Sequence, residues 1–423
     1  MNFTLNLRKL VSLLAVCMCA FAVKAQTDQL DNLKEFDQRN GLPNFFSKLK
    51  AGKQVTVAYF GGSITAAKDG WRDQSVSWLQ SQYPKAMVKQ INAAVGGTGS
   101  DLGVFRLKND VLTYRPDLVF VEFAVNDGSL DPARIHETME GIVRQIWRAD
   151  PLTDICFVYT LSGNMVPKIT EGKLWPSMLA MEHIANHYDI PSVKFAPEVV
   201  QQIKTGKVIF QGKPEENTDK IVFTTDNVHP LPKTGQRIYA EILVKNLRVM
   251  ADHARTVAHK LGKPYTRENW EDAEMISLRD IVKAGSWQEL TQQDSVARML
   301  RNRFPVLYKS VVPGASLKLK FNGRLAGIYD VVGPGCGQYV VTVDGAGKQS
   351  YPRFDKYSST YRSFYFTLPL MNPGLHEVEW KVSDQAPDKT AVMQQVANQG
   401  NLRKFEENAC YAGWVLLLGT QIK

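Results

Sequence analysis

Between residues 55 and 247, short apolar runs alternate with stretches whose apolar residues recur at helical spacing. The runs at 55–60, 87–92, 118–123, 155–161 and 192–195 predict strands, and the stretches at 75–82, 102–112, 132–148 and 176–188 predict helices. The 132–148 stretch shows the logic. Ile135, Met139, Ile142, Val143 and Ile146 share one helical face, and Asp131 stands as a cap ahead of Pro132. Strands that alternate with helices predict an α/β fold: a mostly parallel sheet covered on both faces, in three α/β/α layers.

The pattern lapses at 204–219 into Gly, Lys, Pro, Glu and Asn, which reads as a surface excursion near the sheet edge. An apolar segment then runs into Asp226-Asn227-Val228-His229-Pro230, and a helix follows with Ile238, Ile242 and Leu247 on one face. Residues 261–302 are charged and read as a linker or bridging segment. Beyond them the period becomes two. Strands are expected at 317–321, 326–331, 339–343, 364–368, 377–382 and 414–418, separated by Asn-Gly, Gly-Pro-Gly, Asp-Gly and Asn-Pro-Gly turn signals. This predicts an all-β, jelly-roll-like sandwich as a second domain. The expected division is a leader at 1–25, an α/β domain at 26–260, the linker at 261–302 and the sandwich at 303–423. A chain of 423 residues is long enough for two such cores.

Composition changes the picture only at the first residues. Arg8 and Lys9 precede an apolar run from Leu10 to Val23, and Val23-Lys24-Ala25 offers a cleavage site before Gln26. That is the pattern of a secretory signal peptide, so a secreted or periplasmic protein is expected after cleavage near Ala25. The run is short for a membrane anchor, no later apolar segment is long enough to span, and bulky Val16 argues against lipid attachment at Cys17. Loss of the leader leaves 48 basic and 42 acidic residues, a net charge of +6. The basic residues are scattered rather than blocked, so nucleic acid is not an expected partner. Three cysteines remain. Cys156 sits in an apolar run and reads as a buried hydrophobe, while Cys336 and Cys410 are left either paired or free.

The chemistry gathers at the ends of the strands. Tyr59-Phe60-Gly61-Gly62-Ser63-Ile64-Thr65 ends the first run on two glycines and a serine, which is either a helix cap or a nucleophile at the rim of a sheet. Asp226 lies three residues before His229, close enough for its carboxylate to bond imidazole Nδ1–H and leave Nε2 as a base. The glycine-rich stretch at 92–100, after the second strand, could present a backbone N–H to an anion, and Asn126, after the third, a side-chain amide. Together these supply the parts of an acyl-transfer site.

With those residues in view, the chain resembles the SGNH (GDSL-like) hydrolases over residues 54–247. Gly61-Gly62-Ser63-Ile64-Thr65 resembles the Gly-Asp-Ser-Leu block, with Gly62 in place of the usual Asp. The 92–97 stretch resembles the glycine block, with Gly97 at the oxyanion position. Ala124-Val125-Asn126-Asp127 resembles the Gly-x-Asn-Asp block, with Ala124 for Gly, and Asp226-Asn227-Val228-His229 the Asp-x-x-His block. The resemblance implies a serine esterase without cofactor or metal. Ser63, His229 and Asp226 would be its triad, and the Ser63 N–H, Gly97 N–H and Asn126 its oxyanion hole. An exported member with an appended sandwich looks like the carbohydrate esterases that remove O-acetyl groups from polysaccharides, so an acylated carbohydrate is the expected substrate. A lipase- or thioesterase-like acylhydrolase, an O-acyltransferase and a non-catalytic glycan-binding protein are the alternatives; oligomeric state is left open.

Other signals carry less. His183 and His187 share a helix face beside Glu182 without a His-Glu-x-x-His pattern. Gly97-Thr98-Gly99 with Gly103 is a poor dinucleotide loop, because its last glycine is one residue late. Thr65 stands where a Gly-x-Ser-x-Gly elbow needs its final glycine. Tyr351, Phe354, Tyr357 and Tyr361 near Arg353 and Arg362 either stack on sugar rings or pack within the sandwich, and Trp71 and Arg72 either line the pocket or belong to core and rim.

Overall fold

The computed structural model describes residues 33–396 and 402–422. The expected leader and its cleavage site lie outside the described residues. Among those described, no helix is long and apolar enough to cross a membrane. The chain divides after Glu271 into two compact units.

The first unit is built on a six-stranded sheet. Its strands are β1 (Phe36–Asp37), β2 (Gln54–Gly61), β3 (Met87–Asn92), β4 (Leu118–Glu122), β5 (Asp154–Tyr159) and β6 (Ser192–Lys194). They lie in the order β1-β6-β5-β4-β2-β3, all parallel except β1. From Val55 onward β2 is buried, as are β4 and β5 along their whole lengths, which is why they read as continuous apolar runs rather than alternating ones. The helices are α1 (Pro43–Lys50), α2 (Ser63–Ala66), α3 (Trp71–Gln82), α4 (Ser100–Asp110), α5 (Pro132–Ala149), α6 (Val166–Thr170), α7 (Pro176–His187), α8 (Ala196–Lys204) and α9 (Gly235–Ala251). α1, α3 and α9 pack among themselves, and so do α4, α5 and α7, giving one helical layer on each face of the sheet. α5 starts as its sequence predicts: the Asp131 carboxylate accepts the Ala133 N–H at 2.8 Å, Pro132 opens the helix, and Ile135, Met139, Ile142, Val143 and Ile146 are buried.

Because β3 and β4 lie on opposite sides of β2, the chain reverses direction across the sheet at β2. The carboxyl ends of β2, β3 and β4 therefore open onto one crevice, the usual ligand site of such sheets.

Three sequence expectations need correction. The supposed excursion at 204–219 contains a strand, β7 (Val208–Gln211), which pairs in parallel with β8 (Ile221–Thr224). Its four residues are too few to show a period against the polar loop beside them. The segment at 261–302, expected as a linker or bridging segment, is folded, and part of it belongs to each unit. Trp270 is buried in the first unit, with Phe105 and Arg134 packed on its ring, whereas β9 (Ala273–Ser277), β10 (Val282–Ala284) and β11 (Gln288–Glu289) belong to the sheets of the second. These strands are two to five residues long and interrupted by charge, so composition masks them.

The second unit continues with α10 (Ser295–Met299), β12 (Tyr308–Ser310), β13 (Ser316–Val332), β14 (Gln338–Val343), β15 (Ala346–Pro352), β16 (Arg362–Thr367), β17 (Gly374–Val382), α11 (Thr390–Val396), β18 (Cys410–Ala412) and β19 (Trp414–Ile422). All its strand pairs are antiparallel. An eight-stranded sheet centred on β13 and a three-stranded sheet, β11-β12-β18, share one core. Leu317, Phe321, Ile328, Tyr339, Trp380 and Leu417 come from the first sheet and Tyr308 and Cys410 from the second.

The third correction is at Asn322-Gly323, which is no hairpin turn. The two strands expected at 317–321 and 326–331 are a single 17-residue strand, with a register shift against β19 between Gly323 and Leu325. A Cβ at Gly323 would lie 2.4 Å from the Leu418 carbonyl oxygen, so the glycine marks a bulge with close backbone approach. Asp344-Gly345 is a true hairpin turn between β14 and β15, both residues having positive φ. Cys156, Cys336 and Cys410 are buried free thiols.

Candidate active site

β2 ends at Gly61, and α2 begins at Ser63 after a single extended residue, Gly62. Tertiary contacts tie this turn down on every side. The Val95 N–H, in the segment after β3, donates to Gly61 O at 2.9 Å. Arg72 Nε donates to Thr65 O at 3.1 Å, and Gln236 Nε2 on α9 donates to Ile64 O at 3.1 Å. Trp71 is fully buried among Tyr59, Phe120 and Phe195, which settles it as core; Arg72 is a buried brace for the turn.

The structure brings Ser63, His229 and Asp226 into one hydrogen-bonded string. Ser63 Oγ lies 2.8 Å from His229 Nε2, and His229 Nδ1 lies 2.7 Å from Asp226 Oδ2. The 226–229 loop follows β8 and turns tightly through Asn227, whose φ is +69°. Asn227 O accepts the Gly163 N–H at 2.9 Å, which fastens the loop beyond the end of β5. Asp226 Oδ1 accepts the backbone N–H of Val228 (3.0 Å) and of His229 (2.7 Å) and the Thr224 hydroxyl (3.0 Å). Desolvation works against the Asp226 charge, but the bonds from His229, Val228 and Thr224 outweigh it and hold the carboxyl well below the usual carboxylate range. Asp226 Oδ2 thus faces Nδ1 of the imidazole, and Nε2 faces the serine.

The other expected residues frame Ser63. A Cβ at Gly96 would sit 3.5 Å from Ser63 Cβ, so the glycine stretch does pass against the serine. Gly97, next in the chain, has φ +71°, and a Cβ there would meet nothing within 4 Å. Asn126 lies against Gly62, the residue before the serine. A Cβ at Gly62 would stand 1.9 Å from Asn126 Oδ1 and 2.8 Å from its Cγ. A side chain at residue 62 would therefore have to displace the Asn126 amide.

Sequence reasoning missed two buried carboxyls under the site. Glu122, the last residue of β4, is 1% exposed. It accepts the Thr160 hydroxyl at 2.7 Å, the Thr65 hydroxyl at 2.8 Å and the Gly62 N–H. Burial pushes it up to about 7 against the pull of those three bonds. Asp127 is fully buried, and its Oδ1 accepts the Ser100 N–H at 2.9 Å, anchoring the end of the glycine stretch. Burial pushes it up to about 8, with Ser100 opposing and Asp101 assisting. The available signal was a charged residue closing an otherwise apolar run, Leu118-Val119-Phe120-Val121-Glu122.

The set-aside residues also find places. His183 Nδ1 lies 3.2 Å from His136 Nε2, and His183 and His187 both pack against Tyr265. In the second unit Arg353 is buried in an ion pair with Asp330, and Tyr351 stacks on Phe366, so these members of the aromatic group are packing residues.

A sheet covered by helices on both faces and carrying a Ser–His–Asp string at its strand ends has the parts of a serine hydrolase. Residues 59–234 match the GDSL-like Lipase/Acylhydrolase family, so the first unit holds a GDSL-like lipase/acylhydrolase domain. Two crystal structures of a two-domain esterase (CEX) active on acetylated mannans share the fold across both units. The one co-crystallized with mannopentaose has a TM-score of 0.69 and the other 0.70; each is 20% identical and covers 92% of this chain and 99% of its own. Axe2, an acetylxylan esterase from Geobacillus stearothermophilus, is 17% identical over 46% of this chain and 94% of its own, with a TM-score of 0.36. No curated protein matches the chain in sequence.

Proposed function

We propose that the chain is a secreted serine esterase that removes O-acetyl groups from a polysaccharide or oligosaccharide. The observation that carries the reading is the string Ser63 Oγ–His229 Nε2 at 2.8 Å and His229 Nδ1–Asp226 Oδ2 at 2.7 Å. Ser63 Oγ attacks the acetyl carbonyl carbon as His229 Nε2 takes its proton, and Asp226 stabilises the resulting imidazolium. The oxyanion is received by the Ser63 N–H, which as the first residue of α2 has no acceptor within its own helix, by the Gly97 N–H and by the Asn126 amide. When the tetrahedral intermediate collapses, the imidazolium returns its proton to the departing sugar hydroxyl. Water, deprotonated by His229, then cleaves acetyl-Ser63.

The carbohydrate part rests on the two-unit architecture shared with an esterase active on acetylated mannans, a weaker support than the site itself. Acetate release from acetylated mannan and xylan, beside a chain-length series of 4-nitrophenyl esters, tests it. The expected result is a sharp preference for acetyl groups, lost in Ser63→Ala together with organophosphonate labelling. Activity that survives Ser63→Ala refutes the mechanism, and a preference for long acyl chains refutes the substrate class.

A further inference from the structure

We propose that Glu122 is a positioning residue for the nucleophile turn: its buried carboxylate holds the Gly62 N–H and the Thr65 hydroxyl, on either side of Ser63, and so sets the direction of Ser63 Oγ and its N–H. The proposal rests on the reading of Ser63 as the nucleophile.

Four observations lead to it. First, the carboxylate sits where an apolar residue would be expected. β4 is buried throughout, and Glu122 is its only charged residue. Burying a charge is costly even after the protein relaxes, and burial raises this carboxyl to about 7. Such a group is a poor choice for packing alone.

Second, its partners belong to the turn. Glu122 Oε2 accepts Thr65 Oγ1 at 2.8 Å, and the Gly62 N–H donates to the same carboxylate. The third donor, Thr160 Oγ1, reaches Oε1 at 2.7 Å from just beyond β5. The carboxylate therefore ties together the ends of three neighbouring strands at the level of Ser63.

Third, the backbone is cleared for it. Gly61 pairs with Glu122 in register across β2 and β4. A Cβ at Gly61 would lie 2.6 Å from Glu122 O and 3.1 Å from Oε2.

Fourth, α2 has only four residues, too few to hold its own shape in isolation. Arg72 and Gln236 serve the carbonyls of Thr65 and Ile64, while Glu122 serves donors on both sides of the serine.

A group that positions Ser63 without touching substrate affects kcat and leaves KM alone. Misplacement of a reacting atom by about 1 Å costs roughly 10²-fold in rate. Glu122→Leu is expected to lose about that factor in kcat, with KM for 4-nitrophenyl acetate unchanged and thermal stability equal to or above wild type. Glu122→Gln keeps an acceptor for the turn, since the Thr160 hydroxyl can accept the amide N–H instead, and is expected to recover to within roughly tenfold of wild type. Rates are taken per site labelled by a fluorophosphonate, so unfolded protein does not count. A Glu122→Leu kcat within twofold of wild type overturns the proposal, as does a loss that tracks falling stability or a change confined to KM. Should Glu122→Leu not fold, Thr65→Val decides: a several-fold fall in kcat at unchanged KM supports the clamp, and an unchanged kcat overturns it. Ser63→Ala separates the two levels. If that variant keeps activity, the nucleophile reading fails. If it is inactive while the Glu122 variants behave as wild type, only the positioning role fails.

Discussion

Replacing Gly62 by alanine adds one methyl group where the Asn126 amide now lies. The backbone tolerates it, because Gly62 has φ −95° and ψ −157°, an extended conformation open to any residue. The obstacle is the Cβ itself, 1.9 Å from Asn126 Oδ1 and more than 1 Å closer than carbon and oxygen approach in folded proteins. What must yield is the end of a side chain rather than backbone, so Asn126 rotates away at a modest cost in stability, about 1 kcal/mol. The loss in activity is larger. Removal of one oxyanion donor costs roughly 10²–10³ in kcat, about 2.7–4 kcal/mol of transition-state stabilisation. Gly62→Ala should therefore reduce hydrolysis of 4-nitrophenyl acetate by that factor while its thermal midpoint moves by only a few degrees. The double variant Gly62→Ala/Asn126→Ala should be no slower than Asn126→Ala alone, because both changes remove the same donor. A Gly62→Ala enzyme within threefold of wild type would refute the reasoning, and so would a double variant in which the two losses multiply.

Against desolvation, hydrogen bonds from His229, Val228 and Thr224 hold the Asp226 carboxyl below the ordinary carboxylate range, so Asp226→Asn, which cannot orient the imidazole as the carboxylate does, should lower kcat roughly 10⁴-fold at neutral pH, measured on 4-nitrophenyl acetate. Glu182 is buried between Arg39 (2.8 Å) and Lys194 (3.2 Å). Desolvation would raise its carboxyl, but Lys194 and Arg39 bring it down to about 2 from an ordinary 4.5. Its stabilising contribution is therefore complete above the ordinary value and lost as pH falls toward about 2; thermal melts should show this, and Glu182→Gln, which takes from Arg39 its ion-paired carboxylate and leaves Lys194 with Asp37, should cost about 3 kcal/mol at neutral pH. Asp127 has the opposite sign: raised to about 8 from 3.8, its contribution is full below 3.8, where it is protonated in both states, and is lost progressively as pH rises from there to about 8. Its Oδ2 has no hydrogen-bond partner, so Asp127→Asn should flatten the fall of the melting temperature between about pH 4 and 8, while an unchanged slope would show that Asp127 is not the group responsible.

Local pattern carried much of this protein. The runs at 55–60, 118–123 and 155–161 are legible because a parallel strand covered on both faces must be apolar at nearly every position. Asp131-Pro132 is legible as a helix start because capping is a contact between neighbours in sequence. Asn322-Gly323 misled for the complementary reason. The same dipeptide serves a hairpin or a bulge, and the choice was made by Gly419 and Leu418 on β19, about a hundred residues away. The strands in 261–302 were hidden because pairing with β12, β13 and β19, rather than any periodicity of their own, holds them in place.

The opening Gly61-Gly62-Ser63 stretch divides along the same line. Sequence alone determined that a serine follows a buried strand through two glycines, and that an Asp and a His three residues apart lie far downstream before a helix. Those are properties of chain order and local spacing. That Ser63 Oγ meets His229 Nε2 across 166 residues, that the Asn126 amide lies where a Gly62 side chain would go, and that a carboxylate from β4 underlies the turn are matters of distance between segments. Strand order and helix packing alone set those distances, since hydrogen bonds and steric overlap act over a few ångströms whatever the separation along the chain.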